Sequence, residues 1–248
     1  MKIDWHRLIE CLDHSNLNAS ERYLYNPMAV PLGALCIKLR ATPNAITAFW
    51  GALMFVCSVG FYFGDFLLNI LCGIGWVVAY ALDCTDGPVA RYTGLKSPRG
   101  DYLDGVNHRV TYPMLMFFIG YSAYAAGGRT VLGFGFDPVA YLVLGVAAGI
   151  AMVLIIDLTN IYNRLMPDAM IDANDGSLGV EGKRFAGRKG IQALFMLNPL
   201  AFTNMIVLVP VFAALDRLDL FIIFYGMMYP AGALLRYVMY LRKLPGPR

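Results

Sequence analysis

An all-α fold that crosses a membrane several times is predicted by three observations. The 248-residue chain is 58% hydrophobic and only 15% charged, with a mean hydropathy of +0.56, too apolar for a soluble protein of this size. Its apolar residues gather into six stretches, roughly 44–66, 67–92, 102–126, 138–164, 191–215 and 218–241. Each is near the about 20 residues that one helix needs to cross a bilayer. Finally, 18 of the 20 Lys and Arg residues fall on one side of that arrangement.

The basic residues set the orientation, because positive loops stay on the cytoplasmic side. One side receives Lys2, Arg7, Arg22, Lys38 and Arg40, then Arg91, Lys96, Arg99 and Arg109. It also receives Arg164, Lys183, Arg184, Arg188 and Lys189, and finally Arg236, Arg242, Lys243 and Arg248. Only Arg129 and Arg217 lie opposite. Both termini are therefore predicted to be cytoplasmic, an asymmetry that the net charge of +3 conceals.

The first 25 residues are polar and lack the apolar core of a cleavable leader. The expectation is a juxtamembrane segment, 1–41, followed by a single membrane domain, 42–248. Within 1–41, Trp5, Leu8, Ile9 and Leu12 recur at helical intervals among Lys2, Arg7 and Glu10. That pattern suits an amphipathic helix lying in the cytoplasmic interface or packed on the membrane domain. Thr42-Pro43 opens the first span, with Thr42 placed to cap it and Pro43 suited to its first turn.

Small residues punctuate the spans: Gly73 and Gly75, then Gly145 and Gly149, then Gly226 and Gly232. They are expected at close helix contacts, Gly145 and Gly149 with GxxxG spacing. Trp50, Tyr62 and Tyr80 are expected as interface or packing residues. The five cysteines (Cys11, Cys36, Cys57, Cys72, Cys84) are scattered and predict no disulfide framework. Cys57 and Cys72 suit apolar packing inside spans. The loop 165–190 is the one long polar stretch between spans, and no internal repeat is apparent.

The chemistry concentrates in residues 83–108. Ionisable groups at membrane depth are costly and are retained mainly for function. At about 1.5 Å per residue, Asp83 lies near the cytoplasmic end of the second span. Asp83, Asp86, Gly87 and Ala90 stand at i, i+3, i+4 and i+7, one face of a helix. Asp104 and His108 are i and i+4 on the next, antiparallel helix, so the two polar faces can meet in one cytoplasm-open cavity. Three carboxylates gathered there repel unless a cation neutralises them. Mg²⁺ takes oxygen ligands and bridges readily to substrate phosphates. Gly87, Ala90 and Gly100 leave room for a phosphorylated group, and Arg91 adds a cation. This combination points to a nucleotide diphosphate bound through metal.

The run D-x2-D-G-x2-A-R-x8-G-x3-D-x3-H resembles the signature of the CDP-alcohol phosphotransferase family of membrane enzymes, which ends in Asp. Asp83, Asp86, Gly87, Ala90, Arg91, Gly100 and Asp104 match it in type and spacing. Thr42-Pro43-Asn44-Ala45-Ile46-Thr47 resembles the family's first-span motif. The close resemblance covers residues 42–109, and the remainder is similar only in architecture.

The resemblance implies displacement at the β-phosphorus of a CDP-linked donor by an alcohol, with release of CMP. It implies Asp83, Asp86 and Asp104 as ligands of Mg²⁺ or Mn²⁺. Asn44, Thr47, Asp83, Gly87, Ala90, Arg91 and Gly100 would surround the nucleotide. A CDP-diacylglycerol donor, a small polar alcohol acceptor, a role in phospholipid synthesis and a homodimer are expected on the same ground. So is the reverse arrangement, in which a soluble CDP-alcohol donates to a lipid hydroxyl. The signature's last Asp is replaced by His108. In the family that position is the proposed general base, and an imidazole suits proton transfer near neutral pH. His108 would activate the acceptor while bringing less negative charge to the metal. An altered acceptor or an inactive, CDP-binding relative is the alternative consequence. Asn107 and Asp101 are nearby polar groups.

For the acceptor, Lys183, Arg184 and Arg188 could clamp a phosphate, against the plainer reading of positive-inside topology. Asp157 could line the same pocket or pair with Arg236, and Asn160 and Asn163 face that region. A reading from another class is a divalent-ion or solute transporter. It is disfavoured by the lack of inverted repeats and by carboxylates grouped at one surface instead of the midplane.

Overall fold

The computed structural model describes residues 3–12, 18–127, 130–131, 134–167 and 198–245. Its elements run α1 (Trp5–Glu10), a π-helical turn (Glu21–Tyr25) leading into α2 (Asn26–Lys38), α3 (Pro43–Gly60), α4 (Phe66–Thr93), α5 (Pro98–Ala125), α6 (Pro138–Leu165), α7 (Phe202–Ala214) and α8 (Leu218–Lys243). The fold is all-α apart from a two-residue antiparallel pairing, in which Thr130 faces Gly135 between α5 and α6.

Four helices are long and apolar enough to cross a membrane: Pro43–Phe63, Phe66–Thr93, Pro138–Leu165 and Leu218–Lys243. This is consistent with an integral membrane protein. Of the two other predicted spans, α5 is as long, 28 residues, but its first half carries Arg99, Asp101, Asp104 and Arg109. Of the fifth, 191–215, the described part is the 13-residue apolar helix α7. Outer faces carry exposed Phe49, Val56, Leu67, Val143, Ile150 and Leu234, an apolar belt of the kind that faces hydrocarbon.

Local chemistry sets the helix ends. Thr42 accepts a hydrogen bond from the Ala45 amide, with Pro43 in the first turn, as the sequence predicts. Asp65 caps α4, Ser97 caps α5 with Pro98 behind it, and Asp137 caps α6. Gly94 closes α4 at φ 71°, a left-handed conformation that glycine adopts without a Cβ penalty.

Glycines mediate the close crossings. A Cβ on Gly145 would lie 2.6 Å from the Met116 carbonyl, and one on Gly149 would lie 2.8 Å from Pro113 Cα. The predicted GxxxG face is thus the α5–α6 contact. Gly73 likewise admits Pro210, Gly75 admits Cys57, and Gly226 admits Leu144. Gly232, expected at such a contact, has no atom within 4 Å of the Cβ position. All five cysteines are free thiols.

α1 docks on the bundle through Leu8, 1% exposed. Arg7 donates to the Tyr92 carbonyl at 3.2 Å and stacks on the Tyr92 ring. Trp5 and Ile9 remain exposed, so the segment packs on the domain through one edge and presents a second apolar edge outward.

Candidate active site

Three helices converge at one end of the bundle: the start of α3, the last turns of α4 and the first turns of α5. α3 and α4 are pinned there by Asp86, whose Oδ2 accepts from Thr47 Oγ1 at 2.6 Å and from Trp50 Nε1 at 2.9 Å. Farther along, Trp76 Nε1 donates to Ser58 Oγ at 3.1 Å and fixes the same pair of helices. α5 is held to α3 by Asn107, whose Nδ2 donates to the Thr47 carbonyl at 2.9 Å. That register places the His108 ring between two aromatic neighbours, 5.0 Å from Trp50 and 5.1 Å from Tyr112 by centroids.

The convergence encloses a cavity of about 370 Å³, within the roughly 300–1,000 Å³ range of small-molecule sites. Its walls include every residue expected to meet nucleotide: Asn44, Thr47, Asp83, Gly87, Ala90, Arg91 and Gly100. Asp86, Asp104 and His108 line it too. The exposed side chains of Arg91 and Lys96 stand at its opening, and the half-buried carboxylates stand deeper.

Within the cavity, Asp83, Asp104 and His108 form a group able to hold a metal ion, with ligand atoms all within 4.8 Å of one another. His108 Nε2 lies 3.3 Å from Asp104 Oδ1 and 3.6 Å from Asp83 Oδ1. His108 Nδ1 is buried and has no hydrogen-bond partner among the described residues. Asp86, expected among the metal ligands, borders the same cavity but stands outside this trio, with one oxygen engaged by Thr47 and Trp50.

The other positions are placed as follows. Arg91 folds back along α4 over Gly87, where a Cβ would meet its guanidinium at 3.4 Å, and its Nε donates to the Cys11 carbonyl at 2.7 Å. A Cβ on Gly100 would lie 2.8 Å from Asn44 Oδ1, so the bare glycine allows α5 to start against α3. Asp157 pairs with Arg109, at 3.0 Å to Nε and 2.5 Å to Nη2, instead of the Arg236 partner considered from sequence. Arg236 donates to Thr159 Oγ1 at 3.2 Å. Asn160 is exposed and Asn163 half-buried. Lys183, Arg184 and Arg188 lie outside the described residues.

Several cavity residues escape the sequence pattern. Trp50, expected as an interface or packing residue, is fully buried and donates into the site. It stands at i+3 from Thr47, one helical turn away, which is the signal that places both on one face. Cys84 borders the cavity, as do Glu21, Asn26, Lys96 and Ser97, and Asp101, expected from the sequence as a nearby polar group, lines it too. Glu21 and Asn26 come from the N-terminal segment, whose sequence carries no motif linking it to residues 83–108.

Comparison of the chain with protein-family models and with curated proteins gives no match. The functional reading therefore stands on the site.

Proposed function

We propose that this chain is a membrane-embedded CDP-alcohol phosphotransferase. It transfers a phosphatidyl group from a CDP-linked donor, CDP-diacylglycerol in the first instance, to a small polar alcohol and releases CMP. The observation that carries the reading is the single cavity that collects all seven residues expected at the nucleotide together with the carboxylates of the motif.

The charge layout supports it. Two cations at the opening, Arg91 and Lys96, and three carboxylates deeper in suit a diphosphate that meets cations directly and carboxylates through a divalent ion. The trio Asp83, Asp104 and His108 fits such an ion by distance and by donor type. When bound, the ion neutralises the diphosphate and the charge that develops on departing CMP. Asp86, fixed by Thr47 and Trp50 through Oδ2, lines the same chamber.

In the transfer, the alcohol oxygen bonds to the β-phosphorus and the bond from that phosphorus to the bridging oxygen breaks, so CMP leaves with the electron pair. The hydroxyl proton needs an acceptor. His108, the expected base, points Nε2 at both carboxylates and buries Nδ1, a pose that suits a metal ligand. We assign His108 to the metal-holding set. The proton goes to Asp104, whose side chain is 44% exposed against 12% for Asp83.

The reading includes six spans, with α5 and the 191–215 stretch as the two beyond the four long apolar helices. α1 then lies at the interface, both termini and the site face the cytoplasm, and the protein works as a homodimer.

The decisive experiment follows CMP release by the purified protein in lipid with CDP-diacylglycerol, divalent metal and a pool of polar alcohols and their phosphates. Release that depends on metal and disappears in Asp104→Asn is the expected result, and dividing the pool names the acceptor. No release from this donor or from soluble CDP-alcohols, with CDP still bound, would replace the enzyme reading by that of an inactive relative.

A further inference from the structure

The proposed transferase needs a divalent ion, and the donor atoms say which kind. We infer that the Asp83–Asp104–His108 centre selects a first-row transition ion such as Mn²⁺, Co²⁺ or Zn²⁺ over Mg²⁺, with His108 Nε2 as a direct ligand. This rests on the functional reading only in supposing that the centre binds a metal at all.

Three observations lead to it. The trio offers one imidazole nitrogen and two carboxylates. Mg²⁺ is bound through oxygen and demands near-ideal octahedral geometry, whereas an imidazole nitrogen suits Fe, Ni, Cu and Zn, and affinity at mixed nitrogen–oxygen sites rises from Mn²⁺ across the row toward copper. Spacing is the next point. The 3.3 and 3.6 Å from Nε2 to the two carboxylate oxygens are near the roughly 3.0–3.4 Å that separates adjacent ligands held about 2.1 Å from one ion. Then there is Asp86, which stands outside the trio with its Oδ2 already accepting from both Thr47 and Trp50.

The imidazole is fixed in this pose. Trp50 and Tyr112 flank its ring, and Asn107, the preceding residue, is tied to the Thr47 carbonyl. Metal-bound histidines commonly donate their second ring N–H to a partner that orients them. His108 Nδ1 has none among the described residues, and the flanking aromatic rings orient the imidazole.

The test uses the full chain in lipid nanodiscs with Mn²⁺ as the probe and Mg²⁺ as the competitor, read by electron spin resonance. The expected result is Mn²⁺ that stays bound in excess Mg²⁺ and shows spin-echo modulation from a coordinated nitrogen. In His108→Asp, which restores an all-oxygen set, the modulation disappears and the Mn²⁺ over Mg²⁺ preference falls by roughly tenfold. Bound Mn²⁺ without nitrogen coupling in the unaltered protein, or its displacement by equimolar Mg²⁺, overturns the inference without any variant being needed. Adding CDP separates the two readings. A nitrogen-coupled signal that CDP leaves unchanged upholds the metal selectivity and counts against the nucleotide reading. No bound Mn²⁺ beside Mg²⁺-dependent CMP release does the reverse.

Discussion

Trp50 Nε1 and Thr47 Oγ1 converge on one oxygen of Asp86, and the Trp50 ring also lies beside His108. An indole N–H is donor only, so Trp50→Phe removes one charge-assisted bond while keeping most of the packing surface. Such bonds are worth about 1.5–3 kcal/mol. The variant is expected to release CMP roughly tenfold more slowly, since about 1.4 kcal/mol corresponds to a tenfold change, with its melting temperature little changed. A fall in melting temperature matching the loss of activity would instead make Trp50 a packing residue. His108→Ala is expected to slow CMP release by about tenfold or more and to weaken metal-dependent CDP binding, measured by thermal stabilisation in divalent ion. Turnover at the normal rate in that variant would remove His108 from the site.

At the level of elements, two glycines make opposite predictions, because they serve different contacts of the same helix. Gly145 permits the α5–α6 crossing beside Met116, far along α5 from Asp104 and His108. Gly145→Ala overpacks that crossing, which typically costs about 1–3 kcal/mol, and is expected to lower the melting temperature while metal binding persists. Gly100 permits the approach of α5 to Asn44 at the cavity. Gly100→Ala pushes against Asn44 Oδ1 and is expected to weaken CDP binding several-fold with little change in melting temperature. Titration and thermal unfolding of both variants check the pair. CDP affinity unchanged in Gly100→Ala would mean that the close approach serves no ligand.

For the whole molecule, the distribution of Lys and Arg predicts that the cavity end of the bundle faces the cytoplasm. An impermeant thiol reagent should therefore leave a cysteine at position 96 unlabelled in intact cells and label one at position 127, in a background where the native cysteines are replaced. The reverse pattern would place the cavity on the outer side and sink the proposed orientation. The four long apolar helices and the exposed apolar belt are consistent with membrane residence. α5 reads differently because it carries site residues in its first half and the α6 contact in its second. A helix doing both carries charges in its first half, although its sequence over 102–126 is still apolar enough to be grouped with the predicted spans.

The amino-acid sequence by itself determined what depends on local repetition. The helix cap at Thr42 follows from residue types within one turn. Asp83, Asp86, Gly87 and Ala90 share a face because a helix repeats every 3.6 residues. Asp104 and His108 are neighbours for the same reason. Tertiary structure alone decided how these faces are used. Asp86 is engaged by Trp50 from 36 residues away, and Asp157 takes Arg109 from 48 residues away in place of Arg236. Glu21 and Asn26 reach the cavity from the N-terminal segment. Such partnerships depend on where helices cross and how they are rotated. Those quantities are set by side-chain packing between segments distant in the chain, and no local spacing records them.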